Sequence, residues 1–490
     1  MENNWEARNE CWRALRSGSR AAGKNRQGRL MTVRKKAEPG TTNRRPVSLS
    51  PARRAAFAIL LRIEQRESYA SELLHSGRYA DLAPLDHGLA TELVMGVLRW
   101  RSRLDAAIRG LCSQPLEKLD REVLTALRLA AYQLGWLDRI PARAAIHESV
   151  ELVKRARKRS AAAFTNAVLR KLADSDRLHH ESPDPILSSK AEALAAASAH
   201  PPWLVERWVA QFGFGVAQRI CAHDQAVPST LIRMRNTTTG ELRQAGIELT
   251  GGAFLAGAWR VVSGDITRTQ AFREGRLAIQ DEASQLVAAL VGRGARILDC
   301  CAAPGNKTLA LADHNPEGTI VAVELHPQRA SLVRKRVSTK NLHVITGDVR
   351  AFAATQPFDR VLVDAPCSGT GTLARHPEIK WRIRPTDLAD LQSRQRSILE
   401  AAMRQVAPGG RVIYSTCSLE QEENEAAVEA TLARNPSFRV REGRAELERL
   451  RIDGEFVADI DALLSGPYIR TIPGVHPSDG FFVAIFERLF

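Results

Sequence analysis

Two cysteines in polar, turn-rich segments are the residues of this sequence best suited to chemistry. Cys367 follows Asp364 in the run Asp-Ala-Pro-Cys-Ser-Gly, and Cys417 stands in Tyr-Ser-Thr-Cys-Ser. Each run comes directly after a short apolar stretch that predicts a β-strand, so we expect both thiols at strand carboxyl ends. One such cysteine would be explained more simply as a small buried hydrophobic residue. Two of them in equivalent positions favour a reaction that uses thiols.

Structural roles for these cysteines are less consistent with the sequence. Neither has another Cys or His at the spacing of zinc ligands, so no metal is predicted. The seven cysteines in 490 residues have no framework spacing, which favours free thiols in a reducing compartment over disulfides. No stretch reaches the ~18 uninterrupted apolar residues of a membrane span. We therefore expect a cytoplasmic monomer without a metal and without membrane contact.

A segment of small residues just before these motifs predicts a cofactor loop. It follows Asp299 and consists of Cys301, Ala302, Ala303, Pro304, Gly305, Asn306 and Lys307. A P-loop would need Gly-Lys-Ser/Thr, but Asn306 separates Gly305 from Lys307. The GxGxxG fingerprint of dinucleotide sites is also absent. An S-adenosylmethionine (AdoMet) site remains, since it needs only room for the methionine and an acid at the end of the next strand.

Acidic residues stand at the ends of the strands that follow this loop. Glu324 ends the next apolar run and could accept hydrogen bonds from both ribose hydroxyls of AdoMet. Asp348, after the third run, suits the adenine edge, and Asp364 ends the fourth run close to the cofactor. A single acid at a strand end is often only a turn former. In series at this spacing, the three acids favour an AdoMet site.

AdoMet and a thiol together suggest methylation of a pyrimidine at carbon 5. Carbon 5 is a poor nucleophile until a thiolate adds to carbon 6 and converts the ring into an enamine. An acid near ring nitrogen 3 stabilises the charge that develops, and a second polar group is needed for release. Cys417, Asp364 and Cys367 satisfy these requirements.

The elements that must position these residues alternate between β and α from Gln280 onward. Short apolar runs predict strands over 296–299, 319–324, 343–346, 360–364, 411–415 and 481–486. The sequence predicts helices over 328–337 and 388–406. This alternation indicates an α/β, doubly wound, Rossmann-like domain over 280–490, with ligands at the carboxyl ends of parallel strands.

The first half of the chain has a different pattern. Ala55, Ala58, Ile59 and Ile63 share one helical face, and similar stripes continue to about residue 174, which predicts an all-α bundle over 46–175. A linker is predicted over 176–199 because it contains Ser-Pro-Asp-Pro. A small α+β region over 200–279 is predicted to have a helix at 202–212 and strands at 231–235 and 258–262.

The positive charge is confined to this first half. The net charge is +15, of which +8 lies in residues 1–45, +7 in 46–175 and none in the remainder. Such a surplus indicates a polyanionic partner, often nucleic acid. Residues 1–45 are too polar to fold alone, so they form either a disordered basic arm or, if Met31 is the true start, a partly mis-assigned segment. The five cations within 154–159 fit either a solvated helix end or a phosphate-contacting patch.

These motifs closely resemble those of the RNA cytosine-5 methyltransferases, specifically the bacterial RsmB (Sun/Fmu) type that modifies small-subunit ribosomal RNA. The resemblance spans about residues 51–490. It rests on the segments 301–307, 364–368, 376–381, 416–418, 422–424 and 479–482, and on the NusB-like helical segments 146–150 and 164–170. It implies AdoMet as cofactor, 16S ribosomal RNA as partner, Cys417 as nucleophile and Cys367 as the residue that assists product release.

The sequence departs from this family at two positions. Asn306 replaces the second Gly of the usual Gly-Gly-Lys, and Asn is the residue best able to replace Gly if the position needs a positive φ. Glu324 stands where Asp is frequent. His376 or Trp381 would either border the target base or be packed aromatics. Two other functions remain open: the same chemistry on transfer RNA or another ribosomal site, and a non-catalytic RNA-binding assembly factor.

Overall fold

The computed structural model describes residues 49–65, 68–178, 189–337 and 339–490. The basic arm predicted over 1–45, the alternative start at Met31 and the Ser-Pro-Asp-Pro segment lie outside these residues. From Leu49 to Phe490 the chain forms one compact unit. The boundaries between the predicted domains therefore remain predictions.

The front of the described chain is the all-α bundle that the apolar stripes predicted. Its helices are α1 (Pro51–Gln65), α2 (Ala70–Leu74), α3 (Pro84–Arg109), α4 (Arg121–Trp136), α5 (Ala142–Arg155) and α6 (Ala162–Ala173). In α1, Ala55, Ile59 and Ile63 are buried, but Ala58 is exposed. The buried arc of α1 extends toward Ala56 instead, so Ala58 falls on its far side.

Part of the predicted linker is helical. Three helices follow the bundle: α7 (Lys190–Ala197), α8 (Pro202–Phe212) and α9 (Phe214–Gln225). Ser189 caps α7 by accepting a hydrogen bond from the Glu192 amide at 3.1 Å, and the alanine-rich sequence has a high helix propensity. Buried Ala195 of α7 packs in a core that also holds Leu373 and Ile379 from the second half. This segment therefore connects the two halves by packing.

A small α+β region follows, as predicted. Its strands β1 (Leu231–Met234), β2 (Glu248–Gly251), β3 (Ala258–Ser263) and β4 (Leu277–Ile279) form an antiparallel sheet in the order β2-β3-β1-β4. The short helices α10 (Thr239–Gln244) and α11 (Gln270–Arg273) connect them. The sequence had predicted β1 and β3 but not β2 or β4.

The second half has the predicted Rossmann-like architecture around a mixed sheet. Its strands are β5 (Arg296–Asp299), β6 (Thr319–Glu324), β7 (Leu342–Thr346), β8 (Phe358–Asp364), β9 (Val406–Thr416), β10 (Phe438–Arg441), β11 (Leu464–Ser465), β12 (Tyr468–Thr471) and β13 (Phe481–Arg488). The order is β7-β6-β5-β8-β9-β13-β12-β11, and β10 also pairs with β13. Strands β5 to β9 are parallel, whereas β10 to β13 pair antiparallel. The sheet is therefore parallel only in the part that carries the predicted site.

Helices pack on both faces of this sheet. They are α12 (Glu282–Val291), α13 (Asn306–His314), α14 (Pro327–Arg336), α15 (Asp387–Met403), α16 (Glu425–Leu432) and α17 (Gly443–Ile452). Strand order reverses around β5, which pairs with β6 on one side and β8 on the other. Loops diverge at such a reversal and open a ligand crevice. The loops after β5 and β8 are those predicted to bind AdoMet and to carry Cys367.

Candidate active site

The exits of β8 and β9 bring the two cysteines into contact. The sulfur atoms of Cys367 and Cys417 lie 3.2 Å apart, and both residues are half-buried. The sheet register places Asp364 opposite Ser415, so the two loops leave their strands side by side. The amide of Gly371 donates to the carbonyl of Cys417 at 2.9 Å and ties one loop to the other. Sequence predicted the strand ends, and the structure adds the sulfur–sulfur contact.

The environment of Cys367 keeps its thiol protonated. The hydrogen bond with Cys417 and burial both raise the pKa of Cys367 well above the ordinary value, and the charges of Cys417 and Glu423 act in the same direction. A thiol that holds its proton is a poor nucleophile. Cys367 is therefore better suited to donating an S–H hydrogen bond to the sulfur of Cys417 than to attacking a substrate.

Asp364 stands beside the thiols in a charged pair. One carboxylate oxygen accepts from Lys307 Nζ at 2.8 Å, and the other accepts from the Ser415 hydroxyl at 2.8 Å. Burial lowers the pKa of Lys307, but the charge and hydrogen bond of Asp364 outweigh it, so the pKa is raised. Lys307 Nζ also lies 5.0 Å from the ring centroid of Phe481, in the terminal motif. The site thus holds a protonated amine against the Asp364 carboxylate.

A buried carboxylate, Glu423, connects the two cysteine loops. Its Oε1 accepts from the Ser368 amide and from Gln395 Nε2, both at 2.8 Å. Its Oε2 accepts from the hydroxyls of Ser368 and Ser418, both at 2.5 Å. Each serine directly follows one of the cysteines, so one carboxylate fixes both thiols. The sequence marked Glu423 as part of a family motif but gave no indication of this role.

The loop after β5 surrounds a small cavity. Its walls are Ser284, Asp299, Cys301, Ala302, Ala303, Pro304, Asn306, Lys307 and Asp364. Gly305 has a φ of 103°, a left-handed conformation that favours glycine. Asn306 begins α13 with a helical backbone, so this position does not need a positive φ. Asn306 instead uses its side chain, which accepts from Arg336 Nη1 at 2.8 Å and donates to the Ile279 carbonyl at 3.3 Å.

Asp299 on this wall tests whether the cavity fits AdoMet. Its Oδ2 accepts from the Thr308 hydroxyl at 2.7 Å, while its buried Oδ1 has no partner within the described residues. Burial raises the pKa of Asp299 to about 6, although the bond from Thr308 opposes this shift. A buried carboxylate oxygen without a donor fits an ammonium group such as that of the methionine part of AdoMet. The cavity therefore suits this cofactor, although sequence reasoning had assigned Asp299 no role.

The two other acids predicted to bind the cofactor, Glu324 and Asp348, differ in their contacts. Glu324 is buried and accepts from the amides of Ala303 at 3.2 Å and His326 at 3.0 Å, which attaches it to the cofactor loop. Each carboxylate oxygen retains a second lone pair for a ribose hydroxyl. Asp348 lies after β7, but Arg350 holds its carboxylate with contacts of 2.5 to 3.0 Å and lowers its pKa. Its role at the adenine remains a prediction.

The two aromatic residues predicted to border the target base, His376 and Trp381, both contact the helical half of the chain. Trp381 Nε1 donates to the Leu98 carbonyl of α3 at 2.6 Å, so Trp381 is a packed aromatic at the contact between the two halves. His376 packs edge-to-face against Tyr69, with ring centroids 5.2 Å apart. Tyr69 belongs to the helical half, and no sequence signal had connected it to this site.

Neither a metal centre nor a membrane-spanning helix is found within the described part of the chain. No group of three or more His, Cys, Asp or Glu residues there could hold a metal ion. In the same residues, no helix is both long enough and apolar enough to cross a membrane.

Comparisons with known proteins agree with this geometry. Residues 290–487 match the family described as 16S rRNA methyltransferase RsmB/F, and residues 50–174 match the NusB family. A Bacillus subtilis (strain 168) protein named probable ribosomal RNA small subunit methyltransferase B is 32% identical over 449 residues, which cover 88% of this chain and 98% of that protein. A Vibrio cholerae protein named ribosomal RNA small subunit methyltransferase B is 32% identical, covering 83% and 91%.

Solved structures share the fold. PH0851 superposes with a TM-score of 0.72 at 23% identity, covering 90% of this chain and 99% of that one. NSun6 from Pyrococcus horikoshii, solved with SFG, has a TM-score of 0.50 at 19% identity and covers 60% and 99%. The family match and the relatives confirm the resemblance, and AdoMet is the cofactor. The chain belongs to the RsmB/F family of 16S rRNA methyltransferases.

Proposed function

We propose that the protein methylates carbon 5 of a cytosine in 16S ribosomal RNA through a covalent bond between Cys417 and carbon 6. The observation that carries this proposal is the contact of two thiols at 3.2 Å beside the Asp364–Lys307 pair. The names of the relatives support small-subunit ribosomal RNA as the acceptor. The basic helical half supports an RNA partner in general.

The first step makes carbon 5 nucleophilic. The sulfur of Cys417 forms a bond to carbon 6, and the electrons of the 5–6 double bond become available at carbon 5. Negative charge then develops at ring nitrogen 3. Protonated Lys307, 2.8 Å from the Asp364 carboxylate, can pass a proton through Asp364 to that nitrogen. When bound, AdoMet supplies an electrophilic methyl group to carbon 5.

The second step releases the product. A base removes the proton from carbon 5, the 5–6 double bond forms again, and the bond between carbon 6 and sulfur breaks. Cys367 holds its proton and lies 3.2 Å from the sulfur of Cys417. Its S–H group can therefore donate a hydrogen bond to the departing thiolate and stabilise it as a leaving group, which agrees with the release role implied by the family resemblance.

The two cysteines provide the test of this chemistry. Cys417→Ala should abolish methyl transfer to ribosomal RNA made without modifications, because no adduct can form. Cys367→Ala should accumulate a protein–RNA adduct, visible as a slow band on a denaturing gel. Full activity of Cys417→Ala would overturn the thiol mechanism. The absence of a slow band with Cys367→Ala would refute the release role.

A strain that lacks the gene for this protein can identify the substrate. Bisulfite sequencing of total RNA from a deletion strain should show the loss of 5-methylcytosine in 16S ribosomal RNA. Wild-type protein should restore the modification, and Cys417→Ala should not. A loss confined to transfer RNA would redirect the proposal to that substrate. Unchanged modification, together with no AdoMet binding by calorimetry, would favour a non-catalytic assembly factor.

A further inference from the structure

A second cavity reaches Cys367 and is lined from both halves of the chain. Tyr69 comes from the helical half, whereas Cys367, Ile379, Arg382 and Arg394 come from the methyltransferase half. The opening therefore combines a thiol, an aromatic ring, two guanidinium groups and apolar side chains with the carboxylates of Asp387 and Asp390. This combination suits a nucleotide, since bases stack on aromatic rings and phosphates pair with guanidinium groups.

The position of Tyr69 is fixed by contacts on both sides of it. The amide of Ala70 donates to Glu378 at 2.8 Å, and Arg382 donates to the carbonyl of Ser68 at 2.5 Å. These contacts join residues 308 and 314 positions apart in the sequence. Glu378 is buried and Arg382 is half-buried. The backbone around Tyr69 is therefore clamped to the methyltransferase half at the edge of the cavity.

The ring of Tyr69 is unusual among the aromatic residues of the helical half. It is 41% exposed and touches His376 edge-to-face at 5.2 Å. By contrast, Tyr132 stacks on Trp136 inside the bundle, at 5.5 Å between ring centroids. Burial raises the pKa of Tyr69, and the nearby thiols Cys417 and Cys367 raise it further, so the ring stays neutral. A neutral, exposed aromatic face in the lining of the cavity beside Cys367 is available for a ligand.

We propose that Tyr69 is a substrate-contacting residue that stacks on the RNA nucleotide entering the cavity beside Cys367. This inference rests on the proposed function, which requires one cytosine to leave the RNA stack and reach the thiols. The helical half would then complete the substrate site, in addition to attracting RNA by charge. His376, which holds the ring from its edge, acts as a positioning residue.

Substitutions that separate stacking from packing test the proposal. Methylation of an unmodified 16S ribosomal RNA transcript by Tyr69→Ala should show a roughly 10- to 100-fold lower kcat/KM, because one base–aromatic stack is lost. Tyr69→Phe should retain most of the activity, whereas Tyr69→Leu, which keeps apolar bulk without a flat ring, should not. AdoMet affinity by calorimetry and the unfolding midpoint should stay unchanged. Phe214→Ala, at an aromatic that is 39% exposed, is the matched control.

A contact assay separates this proposal from the proposed function. Irradiation of the complex with a 4-thiouridine-containing transcript should cross-link RNA to the peptide that contains Tyr69. Cross-linking there by a wild-type protein that adds no methyl group to cytosine would refute the proposed function alone. An active wild type with Tyr69→Ala or Tyr69→Leu within twofold of it would overturn the stacking role. Loss of activity accompanied by a lower unfolding midpoint and no rescue by Tyr69→Phe would assign Tyr69 a structural role and overturn the proposal.

Discussion

Two buried polar clusters differ in how completely their polar groups are paired by hydrogen bonds. Around Glu423, four donors converge on the two carboxylate oxygens. Around Lys380, the ammonium group donates to the carbonyls of Arg99 at 2.9 Å and Ala199 at 3.0 Å, near Asp224. Within the described residues, Asp224 Oδ1 and Arg99 Nε have no partner. The first cluster holds the cysteine loops, and the second joins the two halves of the chain.

The difference in hydrogen bonding indicates that the two clusters have different roles. Two sulfur atoms at 3.2 Å need loops with one conformation, which a fully satisfied carboxylate provides. The junction between the two halves instead contains buried groups whose pKa values are shifted. Burial lowers the pKa of Lys380 to about 7, lowers that of His200 and raises that of Asp224. We therefore expect substitutions at Glu423 to act on catalysis, and those at Lys380 to act on the stability of the junction and its pH dependence.

Glu423→Ala should have the largest effect. It removes the acceptor of four buried hydrogen bonds, at a cost of roughly 1–3 kcal/mol for each donor left unpaired. Gln395 keeps its bond to the Pro366 carbonyl at 3.0 Å, and the hydroxyls of Ser368 and Ser418 lie 2.9 Å apart, so part of this cost is recovered. We expect the free energy of unfolding to fall by about 3–5 kcal/mol and kcat to fall by at least ~100-fold. Urea unfolding and single-turnover methylation measure the two quantities.

The neighbouring glutamate is the control for that experiment. Glu422 is half-exposed and pairs with Arg207 at 2.5 Å, away from the cysteine loops. Glu422→Ala should cost at most about 1 kcal/mol and leave kcat near the wild-type value. Equal losses of kcat in the two variants would remove the distinction between a carboxylate that orders the thiols and a surface ion pair.

Lys380→Met tests the junction through pH. The pKa of Lys380 is about 7 in the folded chain, against an ordinary value of 10.5. Between these values the unfolded chain binds a proton that the folded chain does not, so wild-type stability rises with pH. The variant lacks this term. From pH 7 to 9, the unfolding free energy of the wild type should therefore rise relative to that of Lys380→Met by about 1 kcal/mol per pH unit.

Urea unfolding at pH 7, 8 and 9 checks this slope. Asp224 and His200 are present in both proteins, so their own titrations largely cancel in the difference. Lys340→Met, at an exposed lysine, controls for the removal of a positive charge. A pH-independent difference between wild type and Lys380→Met would show that the junction does not hold Lys380 neutral.

The contrast between the cysteine loops and the junction of the two halves also explains what the sequence could predict. Strand ends were predicted within a few residues because apolar runs and the polar residues that close them are local signals. Thus Asp364, Cys367 and Cys417 were assigned to strand exits, and the Rossmann-like fold is confirmed. The contacts that connect the halves are not local: Glu378 binds the amide of Ala70 from 308 positions away. The catalytic and cofactor roles of the assigned residues remain predictions.

Asp299 combines features of both clusters, since one oxygen is satisfied and the other has no partner in the described chain. We expect Asp299→Asn to weaken AdoMet binding about 10-fold, because a charged hydrogen bond to the ammonium group becomes neutral. Its effect on stability should have the opposite sign. The pKa of about 6 in the folded chain exceeds the ordinary 3.8, so the wild type loses stability as pH rises through 6.

The paired measurements are calorimetric titration with AdoMet and unfolding of the apoprotein at pH 4 and pH 7.5. From pH 4 to pH 7.5, the free energy of unfolding of Asp299→Asn should rise relative to that of the wild type by about 1–2 kcal/mol. Thr308→Val, which removes the donor to the other oxygen, controls for disturbance of the loop. Unchanged AdoMet affinity in Asp299→Asn would show that the unpaired oxygen does not face the cofactor.

The smallest expected effect concerns the basic end of α5 and separates its two interpretations. Lys154 pairs with Glu151 at 2.7 Å and Lys158 with Asp120 at 2.9 Å, whereas Arg155, Arg157 and Arg159 are exposed. If the three arginines contact phosphates, replacing them with Ala should weaken RNA binding several-fold. It should also flatten the slope of log K against log salt by about 2 to 3, because fewer counterions are released on binding.

The kcat at saturating RNA should not change, because these arginines lie in the helical half and Glu423 still orders the thiols. Filter binding at several salt concentrations gives the slope, and replacing the exposed Arg268, Arg404 and Arg434 of the neutral half is the matched control. An unchanged slope with a stability loss of a few tenths of a kcal/mol would identify the cluster as a solvated helix end. In that case the attraction for RNA would have to come from other cations of the helical half.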